Sequence, residues 1–150
     1  MKKVAIASDH AGFEGKEAIK RILDQMGLVF EDFGTYSEES VDYPDYAARV
    51  ARAVVRGDAE TGILVCGSGI GMQIAANKVT GARAALAWSE ETARLARRHN
   101  DANIVAVGAR TTEPDVVDGI IRAFLTTAFD GGRHQQRLDK ITEIERHKES

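Results

Sequence analysis

The chemically most suggestive stretch of the sequence is an apolar run that ends at the only cysteine and continues into three alternating glycines. Residues 63–71 read ILVCGSGIG, with the thiol at Cys66. The run is short and rich in β-formers, which predicts a buried strand, and residues 72–78 contain no helix breaker, which predicts a helix after the turn. Such a turn directs several backbone N–H groups and the positive end of a helix at one point. We expect it to hold an anion or a developing oxyanion and to stabilise the thiolate of Cys66.

This stretch has other interpretations. A nucleotide-binding loop is disfavoured, because the Walker A pattern is absent and the dinucleotide fingerprint would need glycine or alanine at Met72. A purely structural turn, in which the glycines only allow the helix to pack closely on the sheet, stays open, as does a role for Cys66 as a small buried hydrophobe. The interpretation as a purely structural turn does not explain why several N–H donors are gathered beside a thiol.

Polar side chains elsewhere in the sequence favour the chemical interpretation. Several of them are predicted to lie at or near the same rim of the fold as the thiol: Asp9, His10, Ser68, His99 and Asn100. Taken alone, His99 could equally be a cation that stabilises the C-terminal end of a helix. Asp9 could equally be a structural residue of a turn. No pair of histidines has the sequence spacing of metal ligands, so we expect no metal and no other cofactor.

A basic segment near the C-terminus is a candidate phosphate site. Arg133, His134 and Arg137 follow two glycines, and we expect them in a loop. Guanidinium groups bind phosphate through paired hydrogen bonds. The alternative is that the segment is only a solvent-exposed basic surface. Together with a thiol, a carboxylate and the imidazoles, this segment indicates acid–base chemistry on a small phosphorylated metabolite.

A regular alternation of strands and helices must position these residues. The pattern predicts five short apolar strands, over residues 4–7, 29–33, 63–65, 82–87 and 104–107. Amphipathic helical patterns separate them, and parallel strands need such crossovers. The predicted fold is therefore α/β, a three-layer αβα sandwich with a five-stranded parallel sheet of Rossmann-like type. Ligands of such sheets bind outside the carboxyl ends of the strands, where residues 9–10, 34, 66 and 108–110 fall.

Two helix starts and the C-terminal tail are also predicted. Ser89 is a candidate N-cap, and Thr112 with Asp115 resembles a capping box. The C-terminal tail carries only a narrow apolar stripe, formed by Leu138, Ile141 and Ile144. A stripe this thin favours a C-terminal helix that packs on a partner subunit, with a loosely attached helix as the alternative.

Length and composition limit the classes of function. The 150 residues suit one domain over residues 1–150, because no low-complexity stretch divides them. The formal net charge of -3 disfavours nucleic acid and anionic membranes as partners. One cysteine cannot form an internal disulfide, the N-terminus does not resemble a signal peptide, and no run is long enough for a membrane span. The cytoplasm is therefore the expected compartment.

Six motifs together carry a family resemblance. They are residues 8–13 (SDHAGF), 42–44 (DYP), 66–71 (CGSGIG), 75–78 (AANK), 98–103 (RHNDAN) and 132–137 (GRHQQR). With these motifs the chain resembles the RpiB/LacAB family of sugar-phosphate isomerases, from the first strand to the C-terminal tail. The resemblance implies a metal-independent aldose–ketose isomerase that acts on ribose 5-phosphate in the pentose phosphate pathway. It also implies a homodimer or a dimer of dimers with active sites shared between subunits.

The same resemblance implies catalytic roles for four residues. Cys66 is expected to be the general base that carries a proton between C2 and C1 of the opened sugar through an enediolate. His99 is expected to assist ring opening, Asp9 to hold a sugar hydroxyl, and Ser68 to supply a hydroxyl at the turn. Met72 stands where another branch of the family has an acidic base, so we expect the cysteine to be the base here.

The remaining implied site residues bind the substrate. The developing oxyanion is expected to be held by the backbone of Gly67, Ser68, Gly69, Ile70 and Gly71. The phosphate is expected at His10, Arg110, Arg133 and Arg137, some of them contributed by the partner chain. Tyr43 is expected to line the sugar pocket, and Asn100 to orient the substrate.

Alternative functions stay open at this point. The substrate is alternatively a six-carbon sugar phosphate of the allose 6-phosphate or galactose 6-phosphate type, because sequence does not reveal the depth of the pocket. A non-catalytic module that binds a phosphorylated sugar is a third candidate. The presence of Cys66, His99 and both tail arginines in one chain favours a homodimer over a heteromeric enzyme that divides them between two chains.

Overall fold

Residues 3–148, as described in the computed structural model, alternate between strands and helices. The strands are β1 (Lys3–Ser8), β2 (Val29–Asp32), β3 (Thr61–Cys66), β4 (Ala84–Leu86) and β5 (Ile104–Gly108). The helices are α1 (Phe13–Gln25), α2 (Tyr43–Arg56), α3 (Ile70–Ala76), α4 (Glu90–Asn100), α5 (Pro114–Thr126) and α6 (Arg133–Lys148). Each of the five strands is followed by a helix, which is the alternation that the apolar pattern predicts.

All five strands form one parallel sheet, in the order β2-β1-β3-β5-β4. Ser8 pairs with Val65, and Cys66 pairs with Gly108, so β1, β3 and β5 end together at one edge. We call this the carboxyl edge, and the opposite one, where the strands begin, the amino edge. The predicted α/β class, the three layers and the parallel sheet are confirmed. The packing of the last helix on a partner subunit stays a prediction.

Helices cover both faces of the sheet, because successive strand residues point to opposite sides. Helices α1, α4 and α5 pack on the face that carries Ile6 and Ile63. Helices α2 and α3 pack on the face that carries Leu64 and Cys66. Burying one such aliphatic side chain stabilises the fold by about 1.5–3 kcal/mol, so both layers hold the strand ends rigidly in place. The thiol therefore lies on the side of α2 and α3.

Helix and strand ends differ from the prediction at some places. The strand predicted over residues 82–87 is shorter, because β4 is an edge strand that pairs with β5 only over Ala84–Leu86. The capping box of Thr112 and Asp115 is wrong: the N-cap of α5 is Glu113, without a side-chain hydrogen bond. Pro114 sits at the first helical position, where its fixed φ and missing N–H suit a helix start.

The predicted N-cap is confirmed at α4, whereas the predicted loop near the C-terminus is wrong. Ser89 Oγ accepts a hydrogen bond from the Thr92 N–H at 3.1 Å and closes a capping box. Arg133 and the residues after it belong to α6 and not to a loop. The reversal of the chain is confined to Gly131 and Gly132, whose φ values of 70° and 58° suit glycine, so the helix can start at once.

Helix α6 lies outside the sandwich and buries little. Leu138 is 4% exposed, but Ile141 and Ile144 are 46% and 69% exposed. Glu145 Oε1 accepts from the Gly81 N–H at 2.9 Å, which ties α6 to the loop before β4. The narrow stripe thus forms a helix that leaves apolar surface uncovered in a single chain. No helix between residues 3 and 148 has both the length and the apolar character needed to cross a bilayer.

A buried ion pair joins α1 to the end of β2. The Lys16 side chain is fully buried, and its Nζ contacts Asp32, which also accepts from Lys20 Nζ at 3.0 Å. Asp32 Oδ1 accepts from the Gly34 N–H at 2.9 Å. Burial raises the pKa of the Asp32 carboxyl, but the hydrogen bonds from Lys16, Gly34 and Lys20 outweigh it and hold that pKa below its usual range. The pair fixes the loop after β2, whose Gly34 carbonyl accepts from the Ser8 N–H at 2.7 Å.

Candidate active site

The thiol of Cys66 lies at the carboxyl edge with a polar partner. The residue ends β3 and is only 5% exposed, within the apolar layer under α2 and α3. Its Sγ nevertheless accepts a hydrogen bond from the Gly69 N–H at 3.1 Å. The burial fits the interpretation as a small hydrophobe, whereas the aimed N–H group fits a sulfur that carries negative charge. The turn is thus folded around the sulfur.

Hydrogen bonds fix the turn after β3 to the turn after β5. The Arg110 N–H donates to the Gly67 carbonyl at 2.9 Å, and the Ala109 N–H donates to the Cys66 carbonyl at 2.8 Å. Ser68 Oγ accepts from the Ile70 N–H at 3.2 Å. The backbone amides of this turn are therefore held in place before any ligand arrives, which is the preorganisation that oxyanion binding needs.

We expect Gly69→Ala to disrupt this turn. Gly69 has a φ of 81°, and a Cβ there would lie 2.6 Å from Leu86 Cδ1 and 2.9 Å from the Val107 carbonyl carbon. The left-handed conformation alone costs an L-residue about 1–2 kcal/mol, and the contacts add to this cost. Chemical denaturation should show a loss of stability above that range. Gly57→Ala is the matched control, because Gly57 has a φ of 86° and no described atom within 4 Å of its Cβ position. Equal losses for the two variants would contradict the prediction.

Asp9 and His10 are held beside the thiol turn. The Asp9 N–H donates to the Val65 carbonyl at 3.2 Å, and Asp9 Oδ1 accepts from the Gly12 N–H at 2.9 Å. His10 Nδ1 accepts from the Val41 N–H at 3.1 Å. With Nδ1 used as an acceptor, the neutral imidazole carries its proton on Nε2, which is then a donor for a ligand.

Tyr43 and Arg110 complete the polar group at the carboxyl edge. A Cβ at Gly71 would lie 2.5 Å from Tyr43 Cε1, so the ring packs directly on that glycine. A Cβ at Gly67 would lie 3.5 Å from Arg110 Cδ, so the arginine side chain passes over the start of the turn. We define the carboxyl-edge cluster as Asp9, His10, Tyr43, Cys66, residues 67–71 and Arg110.

His99 and Asn100 do not share the rim with Cys66 in one chain, so the prediction of a common rim is wrong for them. Helix α4 starts after β4 at the carboxyl edge and runs back antiparallel to the strands. Its last residues therefore lie at the amino edge, where the Asn100 carbonyl accepts from Arg83 Nε at 3.2 Å, just before β4 begins. The strand ends were predicted correctly from the sequence. The position of the last residues of α4 was not, because that helix runs antiparallel to the strands and ends at the opposite edge of the sheet.

An ion-pair network fixes the end of α4. Asp101 closes the helix with a φ of 44°, and its Oδ1 accepts from Arg97 Nη1 at 2.8 Å. Arg97 also donates to the Ala102 carbonyl at 2.7 Å, and Arg83 Nη2 donates to the Asp101 carbonyl at 3.0 Å. The backbone that carries His99 and Asn100 is therefore rigid although the two side chains are exposed.

The start of α6 brings the basic C-terminal residues next to His99. The His99 and His134 rings stack with centroids 4.3 Å apart and an interplanar angle of 16°. The Asp130 N–H donates to the Arg98 carbonyl at 3.0 Å, which ties the preceding loop to α4. Arg133 and Arg137 lie one helical turn apart on α6. We define the amino-edge cluster as His99, Asn100, Asp130, Arg133, His134 and Arg137.

The pKa of the His134 imidazole lies below its ordinary value, because of desolvation and of the positive charges around it. Desolvation contributes most, followed by the charges of His99, Arg133 and Arg137, while Asp130 acts in the opposite direction. We expect Arg133→Gln to raise the His134 pKa, because one repulsive charge is removed. An NMR titration of the histidine ring protons measures this pKa. Arg52→Gln, on α2, is the control and should leave it unchanged; a change of the same size there would contradict the prediction.

The sequence reasoning missed that Asp130 and His134 come together with His99. These three residues each offer one potential metal ligand atom, and the three atoms lie within 4.8 Å of one another. The histidines are far apart in the sequence, so their spacing gave no signal. Only the Asp-Gly-Gly turn before α6 indicated that the chain reverses there.

The sequence and the structure are similar to those of known proteins. Residues 4–141 match the family model described as Ribose/Galactose Isomerase. The chain is 46% identical over 145 residues to ribose-5-phosphate isomerase B of Escherichia coli (strain K12), which covers 97% of each chain. Its structure is similar to that of ribose-5-phosphate isomerase B of Clostridium thermocellum, with a TM-score of 0.96 and 47% identity over 97% of this chain and 98% of that one. It is also similar to ribose-5-phosphate isomerase B of Mycoplasma genitalium with bound ribulose-5-phosphate, with a TM-score of 0.91 and 42% identity over 96% of both chains.

Proposed function

Because the chain belongs to the Ribose/Galactose Isomerase family and is an isomerase, we propose that it interconverts ribose 5-phosphate and ribulose 5-phosphate without a metal. The observation that carries this proposal is the Cys66 thiol, which meets the Gly69 N–H at 3.1 Å inside a rigid turn. The names of the relatives in Escherichia coli and Clostridium thermocellum support the choice of a five-carbon sugar phosphate. The compartment is proposed to be the cytoplasm, where the pentose phosphate pathway would supply the substrate.

In the proposed mechanism the reaction is a proton transfer between neighbouring carbons. The Cys66 thiolate removes the proton from C2 of the open-chain aldose, and the C2–H electrons form the enediolate double bond. The negative charge develops on the oxygen of C1, where the backbone N–H groups of Gly67, Ser68 and Gly71 can donate to it. The N–H groups of Gly69 and Ile70 already donate to Cys66 Sγ and Ser68 Oγ. The thiol then returns the proton to C1, while the hydroxyl proton at O2 moves to O1, which leaves a ketone at C2. Atoms and electrons balance without a redox partner.

Substrate binding uses both clusters in this proposal. Within the carboxyl-edge cluster, Asp9 would hold a sugar hydroxyl, Tyr43 would form a pocket wall, and the Nε2 proton of His10 would be a donor for the phosphate. Within the amino-edge cluster, His99 would assist ring opening, and Asn100 would orient the sugar. The phosphate-contacting positions are His10, Arg110, Arg133 and Arg137, and paired arginines suit a dianionic group.

Two chains are needed to build one such site. The carboxyl-edge and amino-edge clusters lie at opposite edges of the sheet, so a single chain cannot bring Cys66 and His99 together. A closed two-fold dimer, alone or as half of a dimer of dimers, would place the amino-edge cluster of one chain against the carboxyl-edge cluster of the other. The exposed Ile141 and Ile144 of α6 offer apolar surface for such an interface.

Mixing two inactive variants tests the shared site. We expect Cys66→Ala and His99→Asn to be nearly inactive alone, and a mixture that exchanges subunits to recover activity. Each mixed dimer has one site with both residues intact, so equal mixing of a dimer restores about a quarter of the original activity. The measurement is isomerase activity after denaturation and joint refolding, with separately refolded variants as the control. No recovery despite proven mixed dimers would contradict the shared site.

Solvent exchange distinguishes an isomerase from a binding module. Incubation with ribose 5-phosphate in deuterium oxide should incorporate deuterium at C2 of the aldose or C1 of the ketose, because the enediolate is reprotonated by a group that exchanges with solvent. Mass spectrometry or proton NMR detects this label. Binding of ribose 5-phosphate without incorporation of deuterium would favour the non-catalytic module.

A comparison of turnover on ribose 5-phosphate and allose 6-phosphate decides between five-carbon and six-carbon substrates. We expect the higher kcat/KM on ribose 5-phosphate. A higher kcat/KM on allose 6-phosphate would overturn the proposed substrate.

A further inference from the structure

The amino-edge cluster contains a set of potential metal ligands that the isomerase mechanism does not use as such. His99, Asp130 and His134 come from the end of α4, from the loop before α6 and from the first turn of α6. One nitrogen or oxygen from each residue lies within 4.8 Å of the other two. This is the only such group of three among the described residues that were searched, 3–148.

The backbone that carries these three ligands is already in place. The Asp130 N–H donates to the carbonyl of Arg98, the neighbour of His99, at 3.0 Å. The His134 N–H donates to the Gly131 carbonyl at 3.2 Å. Around a tetrahedral ion with bonds near 2.0–2.1 Å the ligand atoms are about 3.3 Å apart. Side-chain rotations that unstack the His99 and His134 rings would have to bring them to this separation. His99 and Asp130 are exposed, so these rotations disturb no packed core.

The chemistry of the donors selects the class of metal. Two imidazoles and one carboxylate suit borderline divalent ions such as Zn²⁺, Ni²⁺ and Cu²⁺, whereas Mg²⁺ and Ca²⁺ prefer oxygen ligands throughout. With three protein ligands, the coordination sphere keeps an open position for water or another ligand. The charges of Arg133 and Arg137 repel a cation and limit its affinity, while the carboxylate of Asp130 offsets part of this repulsion.

We propose that His99, Asp130 and His134 form a site for a borderline divalent metal ion, and that occupation of this site inhibits the enzyme. The ion binds the lone pair of one ring nitrogen of His99, so that nitrogen can no longer exchange a proton with the sugar, and only the N–H of the other ring nitrogen is left. The metal is thus an inhibitor and not a cofactor. The binding half of the proposal is independent of the proposed function, whereas the inhibitory half rests on the role of His99 in ring opening.

Equilibrium dialysis of the intact protein against Zn²⁺ tests the binding. We expect one Zn²⁺ per chain, with Kd raised about tenfold or more by Asp130→Asn and by His134→Gln. Asp139→Asn is the matched control, because Asp139 is an exposed carboxylate on α6 that accepts from Gln135 Nε2 at 2.9 Å outside the cluster. Cys66→Ala is the second control and should leave the Kd unchanged. The proposal would be overturned if Cys66→Ala raised the Kd for Zn²⁺, or if Asp130→Asn and His134→Gln left it unchanged.

Isomerase activity then tests the inhibition. The turnover of ribose 5-phosphate by Asp130→Asn and by the unmodified protein is first measured in the presence of a chelator, and inhibition by Zn²⁺ is then expressed relative to each protein's own metal-free rate. The Zn²⁺ concentration for half-inhibition should be about tenfold higher or more in this variant, in step with its Kd. Equal sensitivity of both proteins to Zn²⁺ would refute the inhibitory site. If no turnover is seen in either protein, the proposed function fails, while dialysis still decides whether the metal binds.

Discussion

Cys66→Ala is expected to lower isomerase turnover by about 10²–10⁴-fold, the usual contribution of a positioned general base. The sulfur lies against the Gly69 N–H at 3.1 Å, in a turn whose amides are fixed by the loop after β5. The variant keeps this turn but has no group that can take the C2 proton. The measurement is kcat with ribose 5-phosphate, together with deuterium incorporation, and both should fall.

Ser8→Ala is the matched control for the loss of the thiol. Ser8 ends β1 as Cys66 ends β3, is also buried, and its Oγ has no hydrogen-bond partner among the described residues. Removing a buried hydroxyl without a partner is nearly neutral or slightly stabilising, so this variant should fold and turn over normally. If Cys66→Ala keeps turnover within a few-fold of the unmodified protein while its fold is intact, the thiol is not the base.

Asp32→Asn is expected to reduce the free energy of unfolding by about 3–5 kcal/mol, the cost of leaving a buried charge without its partner. Lys16 is fully buried, and Asp32 is 15% exposed at the end of β2. Without the Asp32 carboxylate, the Lys16 ammonium retains its desolvation cost and keeps only the more distant Glu17 Oε2, at 3.6 Å, as a partner of opposite charge. Urea denaturation measures this loss. Because the pair anchors the loop that bonds to the end of β1, the variant should also bind substrate more weakly.

A surface pair on the same strand provides the control for this prediction. Glu31 precedes Asp32 and contacts Lys3 Nζ at 2.9 Å, but both side chains are at least 42% exposed. Glu31→Gln should therefore change stability by less than about 1 kcal/mol. Adding Lys16→Met to Asp32→Asn should recover stability, because the buried ammonium that has lost its nearest partner is then removed. A double variant no more stable than Asp32→Asn alone would contradict the explanation.

The same pair gives the stability a pH dependence of known sign. In the folded state, burial is outweighed by the hydrogen bonds from Lys16, Gly34 and Lys20, which hold the pKa of Asp32 below its ordinary value. A lowered carboxyl pKa adds stability above the unfolded value, and this contribution is lost as the pH falls through the folded value. The unmodified protein should therefore lose stability below about pH 4, and the loss should be smaller in Asp32→Asn. Denaturation at a series of pH values measures the difference, and identical acid profiles would contradict it.

Much of the fold could be predicted from local patterns. Short apolar runs separated by amphipathic stretches predicted five parallel strands and the helices between them, because each signal lies within about ten residues of sequence. The N-cap at Ser89 was predicted for the same reason and is confirmed. The capping box at Thr112 and the loop at Arg133 were wrong, since a proline or a glycine pair shifted a helix start by a few residues. Such ends depend on competition between local signals.

For the site, the sequence by itself determined the chemical groups and the strand ends that present them. A cysteine that ends an apolar run before alternating glycines is expected at the carboxyl edge of a parallel sheet, so the members of the carboxyl-edge cluster other than Tyr43 followed from the order of residues. Tyr43 was expected only from the family resemblance. Only the tertiary structure decided where His99 lies and what it meets. Helix α4 carries it to the amino edge, and the turn before α6 brings His134 and Asp130 to it. The physical reason is that helix direction and chain reversal set contacts between residues far apart in sequence, and no local pattern encodes those contacts.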